Sequence, residues 1–187
     1  MRKGQGLMET IVALGVIMTG LVSVISLTIS NLNAERDAAT RYQAINFARE
    51  GIELVRTMRD SNWISGSDAW KGIPRGGNII LQFNPADGSA IAEKKSEWKE
   101  ATRIMQCSSG QFAQNIQSCA TATIFSRVLN IAVLDCGNSI LNFTSPQCLE
   151  MKKTDDIALR VVVTVDWQTS GGGQREITLE EILYDWR

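Results

Sequence analysis

The sequence predicts an α+β protein, in which one long N-terminal helix leads into a β-rich head of antiparallel strands. Three observations carry this. Thr10 to Ala34 is a run of 25 residues without a charge. The stretch after it repeats apolar residues at three- and four-residue steps, and the second half of the chain holds alternating β-branched runs bounded by turn residues. Segments 5–34, 35–60 and 61–187 are therefore read as membrane-spanning helix, amphipathic helix and head.

The uncharged run spans about 37 Å as a helix, enough to cross a bilayer core of about 30 Å. A buried helix of a soluble protein rarely runs so far without a charge. A cleaved secretory signal also starts with basic residues, but here no small-x-small site follows the run: Ser26-Leu27-Thr28 and Ser30-Asn31-Leu32 are poor matches. Arg2 and Lys3 precede the span, so the positive-inside tendency keeps the amino terminus cytoplasmic and sends everything after Asn33 outward. One carboxylate, Glu9, stands at the edge of the span. An acid there is costly unless paired, which makes it a functional candidate; the plainer reading is a helix-start acid favoured by the helix dipole.

The stretch Gly4-Gln5-Gly6-Leu7-Met8-Glu9, followed by Thr10-Ile11-Val12-Ala13-Leu14, resembles the class III leader and tail of the type IV pilin and pseudopilin family, particularly its minor-pilin members. The resemblance implies that residues 1–4 are a leader peptide, that prepilin peptidase cuts between Gly4 and Gln5, that Gln5 becomes an N-methylated amino terminus, and that Glu9 is the retained assembly acid. The family usually has Phe where this chain has Gln5, and often Thr where it has Gly6. It also implies a lollipop-shaped α+β fold. The implied function is that of a structural subunit of a type IV pilus or a type II secretion-like filament, built by bundling of N-terminal helices. Its partners would be other pilin subunits, the peptidase, the membrane and the inner-membrane assembly machinery. The implied location is the cytoplasmic membrane with the head outside the cytoplasm, and then a surface pilus or pseudopilus. In a low-dielectric filament core, one subunit's Glu9 would neutralise a neighbour's terminal amine, a pairing that sets register more than it adds stability.

Beyond the span, Ala38, Tyr42, Ile45, Ala48, Ile52, Val55 and Met58 form an apolar stripe, with Glu35, Arg36, Arg49, Glu50, Glu53, Arg56 and Arg59 on other faces. The stripe is expected to pack on the head. Gly15, Gly20 and Gly51 each weaken the helix by roughly 1 kcal/mol relative to Ala; the first two suit either close helix approach or a lipid-facing position. An unbroken helix from Glu9 to Arg59 would run about 75 Å. Asp60-Ser61-Asn62 is expected to end it. Trp63 and Trp70 follow in a connector, where capping of the stripe and sheet edge is favoured over ligand stacking.

In the head, Asn78–Phe83, Ala122–Leu134, Ile157–Gln168 and Arg175–Trp186 read as strands, with Ala90–Ile104 as a short helix or solvated excursion. Thr169 to Gln174 is a hairpin loop. The last strand offers Ile177 and Leu179, then Ile182 and Tyr184, so a bulge is expected at Glu180-Glu181. The head is thus read as an antiparallel meander laid on the amphipathic helix. Its close, Val165-Asp166-Trp167 with Leu183-Tyr184-Asp185-Trp186-Arg187, also resembles the end of many minor pilins.

Four cysteines, Cys107, Cys119, Cys136 and Cys148, form two sequential pairs, each enclosing eleven residues. An exported head permits oxidation, so bridges Cys107–Cys119 and Cys136–Cys148 are expected, although four cysteines allow three connectivities. A zinc site is disfavoured, because the chain has no histidine and no Cys-x-x-Cys. No metal or cofactor is expected.

The absence of histidine also excludes His-based triads, and there is no Gly-x-Ser-x-Gly elbow or phosphate-cradling glycine loop. The adjacent acids Asp155-Asp156 and Glu180-Glu181 would point to opposite faces of a strand, so no enzyme is expected. A net charge of −1 gives no argument for nucleic-acid binding. The alternative is a singly membrane-anchored extracytoplasmic binding protein or enzyme whose tail is only an anchor.

Overall fold

The computed structural model describes residues 5–83, 90–94, 102–107, 110–114, 119, 121–134, 158–169 and 172–185. It contains one helix, α1 (Gln5–Ile64), and seven strands: β1 (Ile79–Phe83), β2 (Ala90–Lys94), β3 (Arg103–Gln106), β4 (Phe112–Gln114), β5 (Thr121–Leu134), β6 (Ala158–Gln168) and β7 (Gln174–Tyr184). This is the α+β arrangement expected: a long N-terminal helix followed by an antiparallel sheet. The chain divides into two compact units, Met1–Tyr42 and Gln43–Arg187.

In the first unit the apolar side chains of α1 lie exposed from Leu7 to Leu32. It contains the one stretch among the described residues that is long and apolar enough to cross a membrane.

In the second unit, α1 from Gln43 onward packs on the sheet. Its buried face is Ala44, Phe47, Ala48, Gly51, Ile52, Val55 and Arg59. The expected stripe is correct from Ala48 to Met58, half-buried at Ile45, and wrong at its start: Ala38 is exposed and Tyr42 is 63% exposed. Arg59, expected off the apolar stripe, is buried. The helix also outlasts Asp60-Ser61-Asn62. Its stop is Gly66 at φ 72°, with the Gly66 amide donating to the Trp63 carbonyl (3.0 Å) and the Ser67 amide to the Asn62 carbonyl (2.9 Å). This paired closure needs a left-handed residue, which glycine adopts without a Cβ penalty. Asn62, read as a breaker, instead ties down the next loop, donating to Ala69 O (3.0 Å) and Lys71 O (2.8 Å).

All strand pairs are antiparallel. β5, β6 and β7 form the expected meander, joined between β6 and β7 by the expected loop, in which Thr169 N donates to Gly173 O. The rest departs from a meander. β5 has β6 along one side, while β3 and β1 share its other side, with β4 outside β3 and β2 outside β1. The segment expected as a helix or solvated excursion holds β2 and the start of β3; residues 95–101 lie outside the described residues. β4 had no alternating pattern to reveal it, being three residues long.

The expected bulge at Glu180-Glu181 is absent. The β6–β7 register is continuous from Ala158↔Tyr184 to Gln168↔Gln174. Ile177, Leu179, Glu181 and Leu183 therefore share one face, with a charge standing where the apolar pattern lapsed. The inward face of the sheet pairs Leu129 with Val163 and Val163 with Leu179, and Ile131 with Val161, and the core forms between these rows and α1.

Candidate functional site

The site begins with the exposed part of α1. Gln5 is its first residue, and residues 1–4, expected as a leader ending at Gly4, lie outside the described residues. No acid falls in the first turn. Glu9 is in the second turn, where the helix dipole has faded, and it is the only charge between Gln5 and Ala34. Its exposed carboxylate makes no hydrogen bond or ion pair among the described residues.

Four hydroxyls of the same segment, by contrast, are satisfied internally. Thr10 Oγ1 donates to Leu7 O (2.9 Å), Thr19 Oγ1 to Val16 O (2.9 Å), Ser23 Oγ to Thr19 O (2.8 Å) and Thr28 Oγ1 to Val24 O (2.8 Å). Such back-bonding lets a polar side chain enter hydrocarbon at little cost. Gly15 and Gly20 have open space around them. In an apolar surround, Glu9 is the one charged group between Gln5 and Ala34, and it is unanswered among the described residues.

Within the second unit, α1 from Gln43 onward is anchored on the sheet. Two charges on the inward face of the sheet, Arg127 on β5 and Glu181 on β7, are each answered by α1. Arg127 Nη1 donates to Phe47 O (3.0 Å) and lies 3.4 Å from Glu50 Oε1. Its Nε donates to Gln114 Oε1 (3.1 Å), and Gln114 Nε2 returns bonds to Thr102 O (2.5 Å) and Arg127 O (2.8 Å). Burial pushes the Arg127 guanidinium below its usual range and Glu50 draws it back up. Glu181 pairs with Arg56, which also meets Glu53 at 2.5 Å, and its bond to Glu181 raises the Arg56 guanidinium above its usual range.

Gly51 explains how α1 approaches so closely. A Cβ there would lie 3.1 Å from Val163 Cγ1 and 3.3 Å from Arg127 Cδ. Further along α1, Arg59 Nη1 donates to Tyr184 O (3.2 Å) and its guanidinium stacks 4.3 Å over the Trp63 ring. Trp63 Nε1 donates to Asp185 Oδ1 (3.1 Å), and Trp70 is buried in the core. Both tryptophans thus take structural positions.

Cys107 and Cys119 form the expected disulfide. Cys136 and Cys148 lie outside the described residues, as do Asp155 and Asp156. Glu180 and Glu181 face opposite ways, as adjacent strand residues must; Arg160 holds Glu180 through two bonds (2.5 and 2.7 Å) and lowers its carboxyl below the usual range.

Two grooves flank the start of β5. One, about 600 Å³, lies between α1 and β4–β5 and is lined in part by Gln43, Asn46, Phe47, Glu50, Phe112 and Phe125. The other, about 630 Å³, includes Arg103, Ser126, Asp166 and Gln174. Asp166 is raised above the usual carboxylate range by burial, against an opposing bond from Gln174. Among the described residues no group of three or more Cys, Asp or Glu is placed to hold a metal ion.

Sequence reasoning missed Arg127, Gln114 and Phe47. An arginine in the otherwise apolar and small-residue run from Ala122 to Leu134 was the available signal, since a charge inside a central strand needs a buried partner. Compared with protein-family models, curated proteins and solved structures, the chain matches none.

Proposed function

We propose that this chain is a structural subunit of a filament, a minor pilin or pseudopilin of a type IV pilus or type II secretion-like system, which polymerises through the exposed half of α1. The supporting observation is the combination in that half: exposed apolar side chains, four hydroxyls bonded to the helix's own carbonyls, and, at the edge of the uncharged run, the Glu9 carboxylate without a partner among the described residues. Hydrolysis of the Gly4–Gln5 bond by prepilin peptidase would free a cationic amine at Gln5, which is then N-methylated. Among bundled copies that amine supplies the charge that one copy's Glu9 lacks. In hydrocarbon the attraction is strong and the unpaired acid costly, so pairing fixes the axial register of entering subunits.

On this reading the subunit waits in the cytoplasmic membrane as a single-pass protein, head outside the cytoplasm, until the inner-membrane assembly machinery moves it into the filament. The head is then a passenger whose attachment to α1 must survive extraction from the bilayer. The test is incorporation of Glu9→Ala and Glu9→Val into sheared filaments, with the membrane fraction as control. Both variants should remain in the membrane and be lost from filaments. Normal incorporation of either would overturn the assembly role of Glu9.

A further inference from the structure

The Cys107–Cys119 bridge stands where a short strand carries contacts to the helix. β4 has three residues and, among the described residues, hydrogen-bonds to one strand, β3, through Ile104↔Gln114, Met105↔Ala113 and Gln106↔Phe112, while its backbone also approaches β1. A strand so short at an edge has little hold of its own. Yet it delivers two side chains to the helix anchorage. Phe112 meets Phe47 of α1 edge-on, with ring centroids 5.0 Å apart, and the Gln114 carboxamide holds Arg127, the residue that donates to Phe47 O and faces Glu50. The chain enters β4 from a turn closed by Cys107 N to Gln111 O (2.8 Å) and Gly110 N to Cys107 O (2.9 Å). Beyond β4 it returns to the bridge at Cys119, two residues before β5 begins. The disulfide thus closes a ring through β4 and fixes both its ends beside β3 and β5.

We propose that the Cys107–Cys119 disulfide is an oxidation-dependent latch, which seats β4 so that Gln114 and Phe112 lock the sheet onto α1 at Phe47–Gly51. In the dithiol form β4 frays from the edge, Gln114 withdraws from Arg127, and this turn of α1 loosens from the sheet while the β5–β6–β7 core keeps its register. Closing the latch needs a disulfide donor of the thiol-disulfide exchange class. The thiolate of Cys107, the more exposed of the pair, attacks the donor S–S bond and releases one donor thiolate. Cys119 then attacks the mixed disulfide at Cys107 and releases the second. Two thiols become one disulfide, two electrons pass to the donor, and the protons leave with the departing thiols. The head would therefore tighten on its helix only after meeting an oxidising compartment.

The test is hydrogen exchange, read by mass spectrometry on the full chain in detergent micelles, for the parent, Cys107→Ser/Cys119→Ser, and Gln114→Ala with the bridge intact. The Cys136→Ser/Cys148→Ser variant serves as control. Both test variants should exchange about tenfold faster in the peptide covering residues 43–51, the scale of one lost charged hydrogen bond. Peptides from β6 and β7 should be unchanged, and the control should match the parent at 43–51. Faster exchange confined to 107–119, with 43–51 as in the parent, would make the bridge a local staple and overturn the latch. So would loss of protection throughout β5–β7, which would make it a determinant of the whole fold, or parent-like exchange at 43–51 in Gln114→Ala.

Discussion

The two halves of α1 are continuous in sequence and opposite in physical chemistry. Up to Tyr42 the apolar side chains of the helix are exposed, four of its hydroxyls bond to its own carbonyls, and Glu9 is unpaired among the described residues. From Gln43 the apolar side chains are covered by the sheet, and Glu50 and Arg56 meet Arg127 and Glu181. Even the glycines differ, with open space at Gly15 and Gly20 and crowding at Gly51. The second half has its partners within the chain. The first half has groups that want partners of the same kinds, apolar surface and a cation, and on the proposed reading it finds them in a membrane and in other copies of the chain.

Breaking the Arg127 anchorage should separate the halves most sharply. Arg127→Ala strips Gln114 Oε1 of its buried donor and empties a large volume beneath α1, and should cost about 3 kcal/mol of head stability in denaturant unfolding followed by tryptophan fluorescence. Glu9→Ala should leave that unfolding curve unchanged. A similar loss in both variants would mean that the first half is not independent of the head.

The glycines give a smaller effect with a sign that differs along one helix. Gly51→Ala gains helix propensity worth about 1 kcal/mol but forces a methyl against Val163 and Arg127, and the overpacking, about 2 kcal/mol, should win. Gly15→Ala and Gly20→Ala meet nothing and should leave head stability unaltered. Circular dichroism melts compare all three; a stabilised Gly51→Ala head would show that α1 and β6 yield more easily than the close approach implies.

The outer ion pair is weaker because water reaches both partners. Glu181→Gln should lower head stability by about 0.5 kcal/mol, an effect that fades in molar salt. A salt-independent loss would point to packing rather than charge.

Asp166 should give the smallest effect, with the opposite sign. Burial raises its carboxyl above the unfolded value, so the folded state binds the proton more tightly, and Asp166 weakens the fold at neutral pH. That penalty disappears as pH falls through the folded carboxylate range. Asp166→Asn should therefore raise neutral-pH stability by at most about 0.5 kcal/mol after solvent screening, with the gain vanishing at acid pH. A gain that grows on acidification would contradict this sign.

Patterns with a long period were legible in the sequence. The uncharged run, the helix beyond it, strands β1, β5, β6 and β7, the Thr169 to Gln174 hairpin and the Cys107–Cys119 bridge follow from hydropathy, alternation and spacing. What escaped was set by tertiary contact. Glu181 looked like a slipped register because its partner, Arg56, lies 125 residues away. Tyr42 looked like part of the stripe because periodicity does not say where the sheet ends. Arg127 and Gln114 had no local pattern, since a buried polar bridge is defined by the groups it joins. β2, β3 and β4 are too short to outweigh the charges and turn residues around them.

The exact mass of the amino-terminal peptide of protein extracted from membranes tests the account most directly. A chain beginning at Gln5, with or without an added methyl, is the result predicted, because only cleavage after Gly4 creates the cation that Glu9 needs. A chain beginning at Met1, in cells with an active prepilin peptidase, would contradict the filament reading and leave α1 as the anchor of an extracytoplasmic binding protein or enzyme.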